Sequence, residues 1–385
     1  MGHRARLATI LTIAVASALT TAQSAAAQDA SPDTGSAPPP MSANASVYAS
    51  GLDNPRGLEF GPDGALYVAE GGQGGTTSTE GQCDQVVPPV GPYAGGTTGR
   101  ISKIDSSGTR TSVVEGLPSS QTSPELGSLV SGVGDVAFVD GTLYYVLAGA
   151  GCSHGVADVP NGVFRADADG TTALVADVSA FVKANPVAKP NPGDFEPDET
   201  TYSMIDDDGS LYLVEPNHGA LDKVDPTSGA ISRVIDISAS EGHVVPTAIA
   251  VGPDGAFRVG ILSTFPVVAG ASSIYSITLD GQISTETTGV TAVLGVAYVD
   301  GQLYVLETSG PPTDPAAPIE PFSGRVVHVT DGGLEVVATG LMFPTAMTVG
   351  PDGNLYISNF GFGGPPGAGQ VVKVDLSMPL PAAAS

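Results

Sequence analysis

Six copies of one short motif constrain the fold of this chain more than any other feature. Each copy consists of an apolar run, an Asp-Gly pair and a second apolar run, and the clearest copy spans residues 55–70. The pair is typical of a tight β-hairpin because glycine reaches positive φ without steric cost. The six equivalent aspartates are Asp63, Asp140, Asp208, Asp254, Asp300 and Asp352.

The spacing of the motif predicts a repeated unit of about 46 residues, a usual size for a propeller blade. The intervals between the aspartates are 77, 68, 46, 46 and 52 residues, and we assign the excess in the first two to loops. Each hairpin is followed by a third apolar run, and most units have a fourth. The predicted third strands are 100–104, 162–165, 221–224, 273–277, 325–329 and 370–374. The pattern predicts an all-β fold, a six-bladed β-propeller of four-stranded antiparallel blades.

The ring is expected to close through the beginning of the propeller. The sixth unit ends soon after its third strand, and residues 46–52 resemble residues 335–341, which form a fourth strand in the fifth unit. An N-terminal strand is therefore predicted to complete the last blade, which removes an exposed sheet edge. Helix is nearly absent from the pattern, and the best candidate is a short segment at 177–184.

The N-terminal segment is typical of a secretory signal peptide. Arg4 and Arg6 precede an apolar run at 7–19, and three alanines at 25–27 form a small-residue cleavage signal. We predict cleavage after Ala27, a disordered leader at 28–43, the propeller at 44–376 and a disordered tail at 377–385. The protein is expected to be exported to the extracellular space without membrane insertion.

Cys83 and Cys152 are the only cysteines of the chain. Both follow a second strand, in neighbouring blades, so that their loops emerge on the same face. In an exported protein this placement favours a disulfide between blades one and two, and two buried thiols are the alternative. Two cysteines without a histidine pattern do not form a zinc site.

The charge of the chain excludes two classes of partner. The formal net charge is −26, and removal of residues 1–27 takes away Arg4 and Arg6 and no acid, which leaves −28. Nucleic acids and anionic membranes require basic surfaces, so we expect neither. The acidity serves either solvation or the recruitment of cations.

Several stretches resemble the ScyD/ScyE family of secreted NHL-like β-propeller proteins. They are residues 47–58 and 61–72, the segment 176–181 with the proline-rich stretch after it, and residues 245–255. The resemblance covers roughly residues 45–376 and implies a propeller fold and export, but no established reaction. The chain departs from the family pattern between blades two and three, where Pro-Asp-Glu-Thr-Thr-Tyr-Ser stands at 197–203.

Polar residues at the loops around the channel mouth form a candidate ligand-binding ring. The loops that enter the first strand and leave the second strand of each blade share one face, on which ligands of propellers usually bind. The candidates are Asn54, Arg56, Glu70, Asp135, Glu215, Asn217, His218, Thr247, Glu307, Thr345 and Asn359.

Four of these residues directly follow a second strand and form a candidate metal site. Glu70, Glu215, Glu307 and Asn359 offer oxygen ligands suited to a divalent cation such as Ca²⁺. The alternative is that these side chains cap strand ends and bind loop amides. His218 is the candidate general base, because imidazole titrates near neutral pH.

The sequence therefore supports two hypotheses about function. The first is a monomeric binding or scaffold module that takes a small molecule, glycan or extracellular protein on its loop-decorated face. The second is a metal-dependent hydrolase or lyase, similar to a lactonase, with a cation at the channel mouth. The enzyme requires the three glutamates to converge on one ion, whereas the binding module does not.

Overall fold

The chain folds into a closed ring of six antiparallel sheets, which confirms the predicted six-bladed β-propeller. The computed structural model describes residues 39–264, 266–313, 319–378 and 380. The predicted signal peptide and most of the predicted leader lie outside the described residues. Consecutive sheets contact one another through their first strands, and the last sheet returns to the first.

Blades 1 to 3 contain the strands β2 to β14. Blade 1 contains β2 (Pro55–Phe60), β3 (Leu66–Glu70), β4 (Ala94–Ile104), β5 (Arg110–Gln121) and the short β6 (Val130–Ser131). Blade 2 contains β7 (Val133–Val139), β8 (Thr142–Leu147), β9 (Gly162–Ala166) and β10 (Thr172–Asp177). Blade 3 contains β11 (Ser203–Asp207), β12 (Ser210–Glu215), β13 (Ala220–Val224) and β14 (Ile231–Asp236).

Blades 4 to 6 contain the remaining strands, and the first strand of the chain belongs to the last blade. Blade 4 contains β15 (Pro246–Val251), β16 (Phe257–Ile261), β17 (Ser272–Ile277) and β18 (Ile283–Val290). Blade 5 contains β19 (Val293–Val299), β20 (Gln302–Glu307), β21 (Gly324–Thr330) and β22 (Gly333–Leu341). Blade 6 contains β23 (Ala346–Val349), β24 (Leu355–Asn359), β25 (Gly369–Val374) and β1 (Ala45–Leu52).

The apolar side chains of the strands pack between neighbouring blades. One cluster joins blades 1 and 2 through Ile101, Val136 and Tyr145, and another joins blades 3 and 4 through Leu221 and Phe257. Because successive side chains of a strand point to opposite faces, each sheet contributes to the apolar layer on either side of it. Every blade is therefore stabilised by its two neighbours.

The six hairpin turns fall into two classes. In blades 2, 3 and 5, Asp140, Asp208 and Asp300 each have φ of 49° and are followed by a glycine with positive φ, which gives two-residue turns of type I′. In blades 1, 4 and 6 the turn is Gly-Pro-Asp-Gly, and only the last glycine has positive φ. All six turns lie at the same end of the blades, which we call the turn face.

The opposite end, which we call the loop face, carries the long segments that follow the second strands, at 71–93, 148–161 and 360–368, and the described parts of the segment in blade 5, at 308–313 and 319–323. The disulfide between Cys83 and Cys152 joins two of them. Part of the excess predicted to be loop in blade 1 is strand, since β4 and β5 pair with each other over this face and β5 also pairs with β6.

Two short helices complete the loop face, α1 (Val178–Ala184) and α2 (Ile237–Glu241). The predicted helix is α1, and its N-cap Asp177 accepts a hydrogen bond from the amide of Ala180 at 2.7 Å. Within the described ranges, no helix has the length and apolar character needed to cross a membrane.

The strand β1 closes the ring as predicted. It pairs with β25 from Ala45 opposite Val374 to Leu52 opposite Gly369. Residues just before it are also held, because Ser42 exchanges hydrogen bonds with Thr339 of blade 5 through its amide and hydroxyl, both at 3.1 Å. The last residues assigned to the leader therefore contact the propeller.

The closing strand offers a test of how much stability the ring closure supplies. Leu52 is 0% exposed and packs between blades 6 and 1, whereas Val47 on the same strand is 47% exposed. Leu52→Ala is expected to lower the free energy of unfolding by about 3 kcal/mol, because it leaves a cavity. The control Val47→Ala should change it by less than ~0.5 kcal/mol. Equal effects of the two variants in urea denaturation would contradict this role of β1.

Candidate functional site

The central channel is closed at its loop-face end by Tyr202. This residue enters β11 of blade 3, and its hydroxyl donates to the carbonyl oxygen of Thr345 in blade 6 at 3.0 Å. Blades 3 and 6 are opposite one another in a six-membered ring, so the side chain crosses the channel. Arg56 of blade 1 contacts the same hydroxyl and also donates to the carbonyl of Val130 at 2.5 Å.

Beyond this closure lies a cavity of about 310 Å³, lined by the inner strands of all six blades. The inner strands are buried near the loop face and become half-buried toward the hairpin turns, at Glu59, Asp206, Val251, Tyr298 and Val349. The cavity therefore opens on the turn face. Its volume is at the lower end of the range for small-molecule sites.

Blades 1 to 3 supply the acidic side of the cavity. Glu59 accepts a hydrogen bond from the amide of Phe138 at 3.1 Å, and Asp135 accepts one from the amide of Met204 at 2.9 Å. Each carboxylate thus binds the inner strand of the next blade. Gly57 makes room for this arrangement, because a Cβ atom at that position would lie 1.6 Å from an oxygen of Asp135.

The two carboxyl groups hold their protons near neutral pH. Burial, together with the charge of Asp135, raises the pKa of Glu59 to about 8. Burial raises the pKa of Asp135 to about 7, although the amides of Met204 and Val136 favour its charged form. Desolvation disfavours the ionised form of a carboxyl group, and none of the described residues that line the cavity is basic.

Asp206 is the third acidic residue of the cavity. One of its carboxylate oxygens is buried and has no hydrogen-bond partner. Burial and the charges of Asp207, Asp140 and Asp208 raise its pKa. The other half of the wall, from blades 4 to 6, consists mainly of apolar and small residues: Ala248, Ala250, Val251, Gly295, Ala297, Tyr298, Ala346, Thr348 and Val349.

Of the predicted ligand-binding ring, Asp135 alone lines this cavity. Three of the predicted metal ligands instead cap the corner where the chain enters their blade, each by accepting the amide of a loop residue. The bonds join Asp53 to Glu70 at 2.6 Å, Thr291 to Glu307 at 2.8 Å and Met342 to Asn359 at 2.8 Å.

The side chains of the third strands bind the remaining polar atoms of these corners. Arg100 lies 2.9 Å from Glu70, and Arg325 donates to Glu307 at 2.5 Å. In blade 6 the amide group of Asn359 donates to Gln370 at 3.3 Å. The three residues therefore act as strand-end caps, the alternative that the sequence had left open.

Glu215 has a different set of partners. It accepts the amides of Asn217 and His218 at 3.3 and 2.6 Å, and His218 Nδ1 lies 3.0 Å from the same carboxylate. Burial opposes both charges, but their attraction prevails, so that the pKa of Glu215 is lowered and that of His218 is raised. His218 is 3% exposed, and the ring of Phe195 packs against it edge to face.

The predicted metal set is therefore not assembled. Within the part of the chain that the structure describes, no group of three or more His, Cys, Asp or Glu side chains is placed to hold a metal ion. The physical reason is that each glutamate is bound within its own blade. The equivalent positions in blades 2 and 4 are apolar, Leu147 and Ile261.

The other predicted residues bind backbone or loop groups, and two of them join neighbouring blades. Thr247 donates to the carbonyl of Val293 and Thr345 to that of Pro55, both at 2.6 Å, and each bond joins one inner strand to the next blade. Asn54 donates to Gly72 at 2.8 Å within blade 1. Asn217 donates to Asp194 at 3.1 Å in the loop that connects blades 2 and 3.

A second polar cluster includes residues of the disulfide-linked loops. His154 Nδ1 is 2.7 Å from Ser120 Oγ, its Nε2 is 3.7 Å from Glu196, and Tyr93 donates to that glutamate at 2.6 Å. Burial lowers the pKa of His154 to about 4 and raises that of Glu196 to about 8. The arrangement has the partners of a serine–histidine–glutamate triad, but Ser120 and His154 are fully buried.

The residues that sequence reasoning missed are Glu59, Asp206, Tyr202 and Tyr298. A signal for Glu59 exists in the repeat, because the equivalent inner-strand positions of the other blades are Ala137, Ile205, Ala250, Ala297 and Thr348. Glu59 is therefore the one charged residue among six equivalent positions of the repeat, which marks it as an exception. Nothing in the sequence indicates that Tyr202 crosses the channel.

Comparisons with known proteins identify the fold alone. No protein-family model and no curated protein sequence matches the chain. A protein of Thermus thermophilus assigned as an oxidoreductase of the glucose dehydrogenase type aligns over 86% of this chain and 98% of its own, with 15% identity and a TM-score of 0.52. At that identity the likeness concerns the propeller architecture.

Two further structures align less closely. A gluconolactonase of Xanthomonas campestris is 14% identical over 90% of this chain and 99% of its own, with a TM-score of 0.45. Regucalcin, a calcium-binding protein of Agrobacterium tumefaciens, is 14% identical over 85% of this chain and 91% of its own, with a TM-score of 0.47.

The role of Glu307 as a cap can be separated from a role in metal binding. Glu307→Ala leaves the buried amide of Thr291 and the side chain of Arg325 without their acceptor, so we expect a loss of about 3 kcal/mol in urea denaturation. The control Glu335→Ala, 70% exposed in the same blade, should be neutral within ~0.5 kcal/mol. A chelator should leave the melting temperature of the wild type unchanged. A chelator-induced fall that disappears in Glu307→Ala would instead indicate a shared cation.

The raised pKa of Glu59 predicts a dependence of stability on pH. The unfolded chain releases this proton near pH 4.5, but the folded protein holds it to about pH 8. The folded state binds more protons than the unfolded state in this interval. The contribution of Glu59 to stability is therefore present at low pH and is lost as the pH rises toward 8. Between pH 5.5 and 8.5 the melting temperature of Glu59→Gln should therefore fall less than that of the wild type. Parallel curves for the two proteins would refute the pKa assignment.

Proposed function

We propose that the protein is an exported binding module that takes a small organic molecule into its central channel through the turn face. The observation that carries the proposal is the cavity of about 310 Å³, which is closed at one end by Tyr202 and open at the other. A pocket with one entrance, an apolar wall and a few polar groups has the usual character of a small-molecule site.

The arrangement of titratable groups favours binding over catalysis. Glu59 and Asp135 both accept hydrogen bonds from backbone amides of the adjacent blade, which fixes the positions of their carboxyl groups in the cavity wall. Four histidines of the described ranges lie beside a carboxylate, the buried His154 and His218 and the partly exposed His243 and His328, and none of them lines the cavity. A hydrolase that uses a histidine as its general base would need one of them beside the substrate.

Export belongs to the same proposal. The apolar run with its alanine cleavage signal at residues 7–27 supports secretion, and the disulfide is compatible with an oxidising compartment. The resemblance to secreted ScyD/ScyE propellers supports it as well. We place the functional protein, a monomer, outside the cell and its ligand among small extracellular compounds rather than nucleic acids or lipids.

Ligand-detected NMR with the mature protein tests the proposal. The probes are phenethylamine, benzyl alcohol, benzoate and cyclohexanol, which cover positive, neutral and negative charge. At least one should receive saturation from the protein. Ala250→Phe fills the cavity from blade 4 and should abolish that signal, because Ala250 lines the channel.

The matched control is Ala173→Phe, which adds the same ring to an exposed position on the outer strand of blade 2. It should leave binding unchanged. Binding that survives in Ala250→Phe, or no binding of any probe to the wild type, would show that the channel is not a ligand site.

A further inference from the structure

We propose that the ligand of the channel is an organic ammonium ion with a small apolar group. The carboxylates of Glu59, Asp135 and Asp206 face the charged end, and the wall of blades 4 to 6 faces the apolar end. This inference rests on the proposed function, since it concerns the chemistry of the same cavity. The proposed function specifies only that the ligand is small, and this inference adds its charge and its shape.

The three acidic residues have no basic partner in the described part of the chain. Among the ion pairs formed by the described residues, none involves Glu59, Asp135 or Asp206. No lysine, arginine or histidine is among the described residues that line the cavity. One oxygen of Asp206 is buried and has no hydrogen-bond donor among the described residues, so the protein does not offset its charge there. A bound ammonium group would bring a positive charge next to the carboxyl groups, and it would favour their ionised form.

The basic residues nearest the channel are already engaged. Arg56, at the closed end, donates to the carbonyl of Val130 and contacts Tyr202. Arg258, near Tyr298, lies 3.0 Å from Asp254 and 3.5 Å from Glu286. Neither side chain neutralises the acidic half of the cavity.

The rim of the entrance repeats the same charge pattern. The six hairpin turns surround the opening, and in blades 1, 4 and 6 the turn aspartate forms an ion pair, with Lys103, Arg258 and Lys373 respectively. In blades 2, 3 and 5 the aspartates Asp140, Asp208 and Asp300 have no ion-pair partner among the described residues. A concave opening lined by one sign of charge concentrates ions of the opposite sign and accelerates their association.

The two halves of the cavity define the shape of the ligand. Blades 1 to 3 carry the carboxylates, and the opposite blades carry Ala250, Ala297, Val251 and Val349 with the ring of Tyr298 at the entrance. A cation with an apolar group satisfies both halves, whereas a bare inorganic cation would leave the apolar half in contact with water. Tyr298 can also attract a cation through its ring face.

Isothermal titration calorimetry with three six-carbon compounds tests the charge preference. We expect n-hexylamine, protonated at pH 7.5, to bind the wild type at least tenfold more tightly than 1-hexanol, and hexanoate not to bind. The double variant Glu59→Gln/Asp206→Asn should bind n-hexylamine at least tenfold more weakly than the wild type, with unchanged affinity for 1-hexanol. Affinity for n-hexylamine should fall between 0.05 and 0.5 M NaCl, because salt screens the attraction.

The matched control is Glu115→Gln, an exposed glutamate on the outer strand of blade 1. It should bind all three compounds as the wild type does. Circular dichroism and thermal melts confirm that the double variant is folded, and the retained binding of 1-hexanol confirms that its cavity is intact.

The possible outcomes separate this inference from the proposed function. Equal affinity for n-hexylamine and 1-hexanol, or no effect of the double variant, would overturn the ammonium preference and leave the channel as a neutral site. Displacement of n-hexylamine by CaCl₂ at equal ionic strength would overturn it in favour of an inorganic cation. Absence of binding by any probe, with Ala250→Phe indistinguishable from the wild type, would refute the binding site itself.

Discussion

The pairing of β1 with β25 is the interaction on which the rest of the structure depends. It joins the two ends of the propeller, Ala45 with Val374, and turns an open row of blades into a ring. Once the ring is closed, each apolar layer between blades is covered on both sides. The hydrogen bonds of Thr345 to Pro55 and of Thr247 to Val293 then set the distances between inner strands, and these distances define the channel.

The same closure accounts for the chemistry of the channel. Opposite blades come close enough for Tyr202 to reach Thr345, which seals one end. Adjacent blades come close enough for Glu59 and Asp135 to bind the amides of their neighbours, which places carboxyl groups in a poorly solvated interior. Their raised pKa values follow from that burial, and the cavity that remains is acidic on one half and apolar on the other.

The glutamates at the ends of second strands have a different role from the glutamate in the channel. Glu70 and Glu307 were candidates for metal binding because carboxylates at equivalent positions of a ring suggest convergence. In the structure each of them accepts a loop amide and pairs with an arginine of the next strand, Arg100 or Arg325. The carboxylates that recur at the end of the second strand thus bind the loop amide of their own blade. Glu59, whose equivalent positions in the other blades are not acidic, lies in the channel instead.

The sequence by itself determined the architecture, because hairpins, blade spacing and the closing strand depend on local patterns. The Asp-Gly turns and the helix at Val178–Ala184 were predicted from adjacent residues, and β1 from the likeness of residues 46–52 to residues 335–341. The predicted disulfide also formed, since Cys83 and Cys152 lie on loops of adjacent blades at the same face. The tertiary structure decided the candidate site. Whether Tyr202 spans the channel, or Glu59 and Asp206 share a cavity, depends on contacts between blades that are far apart in sequence, and no local pattern encodes those distances.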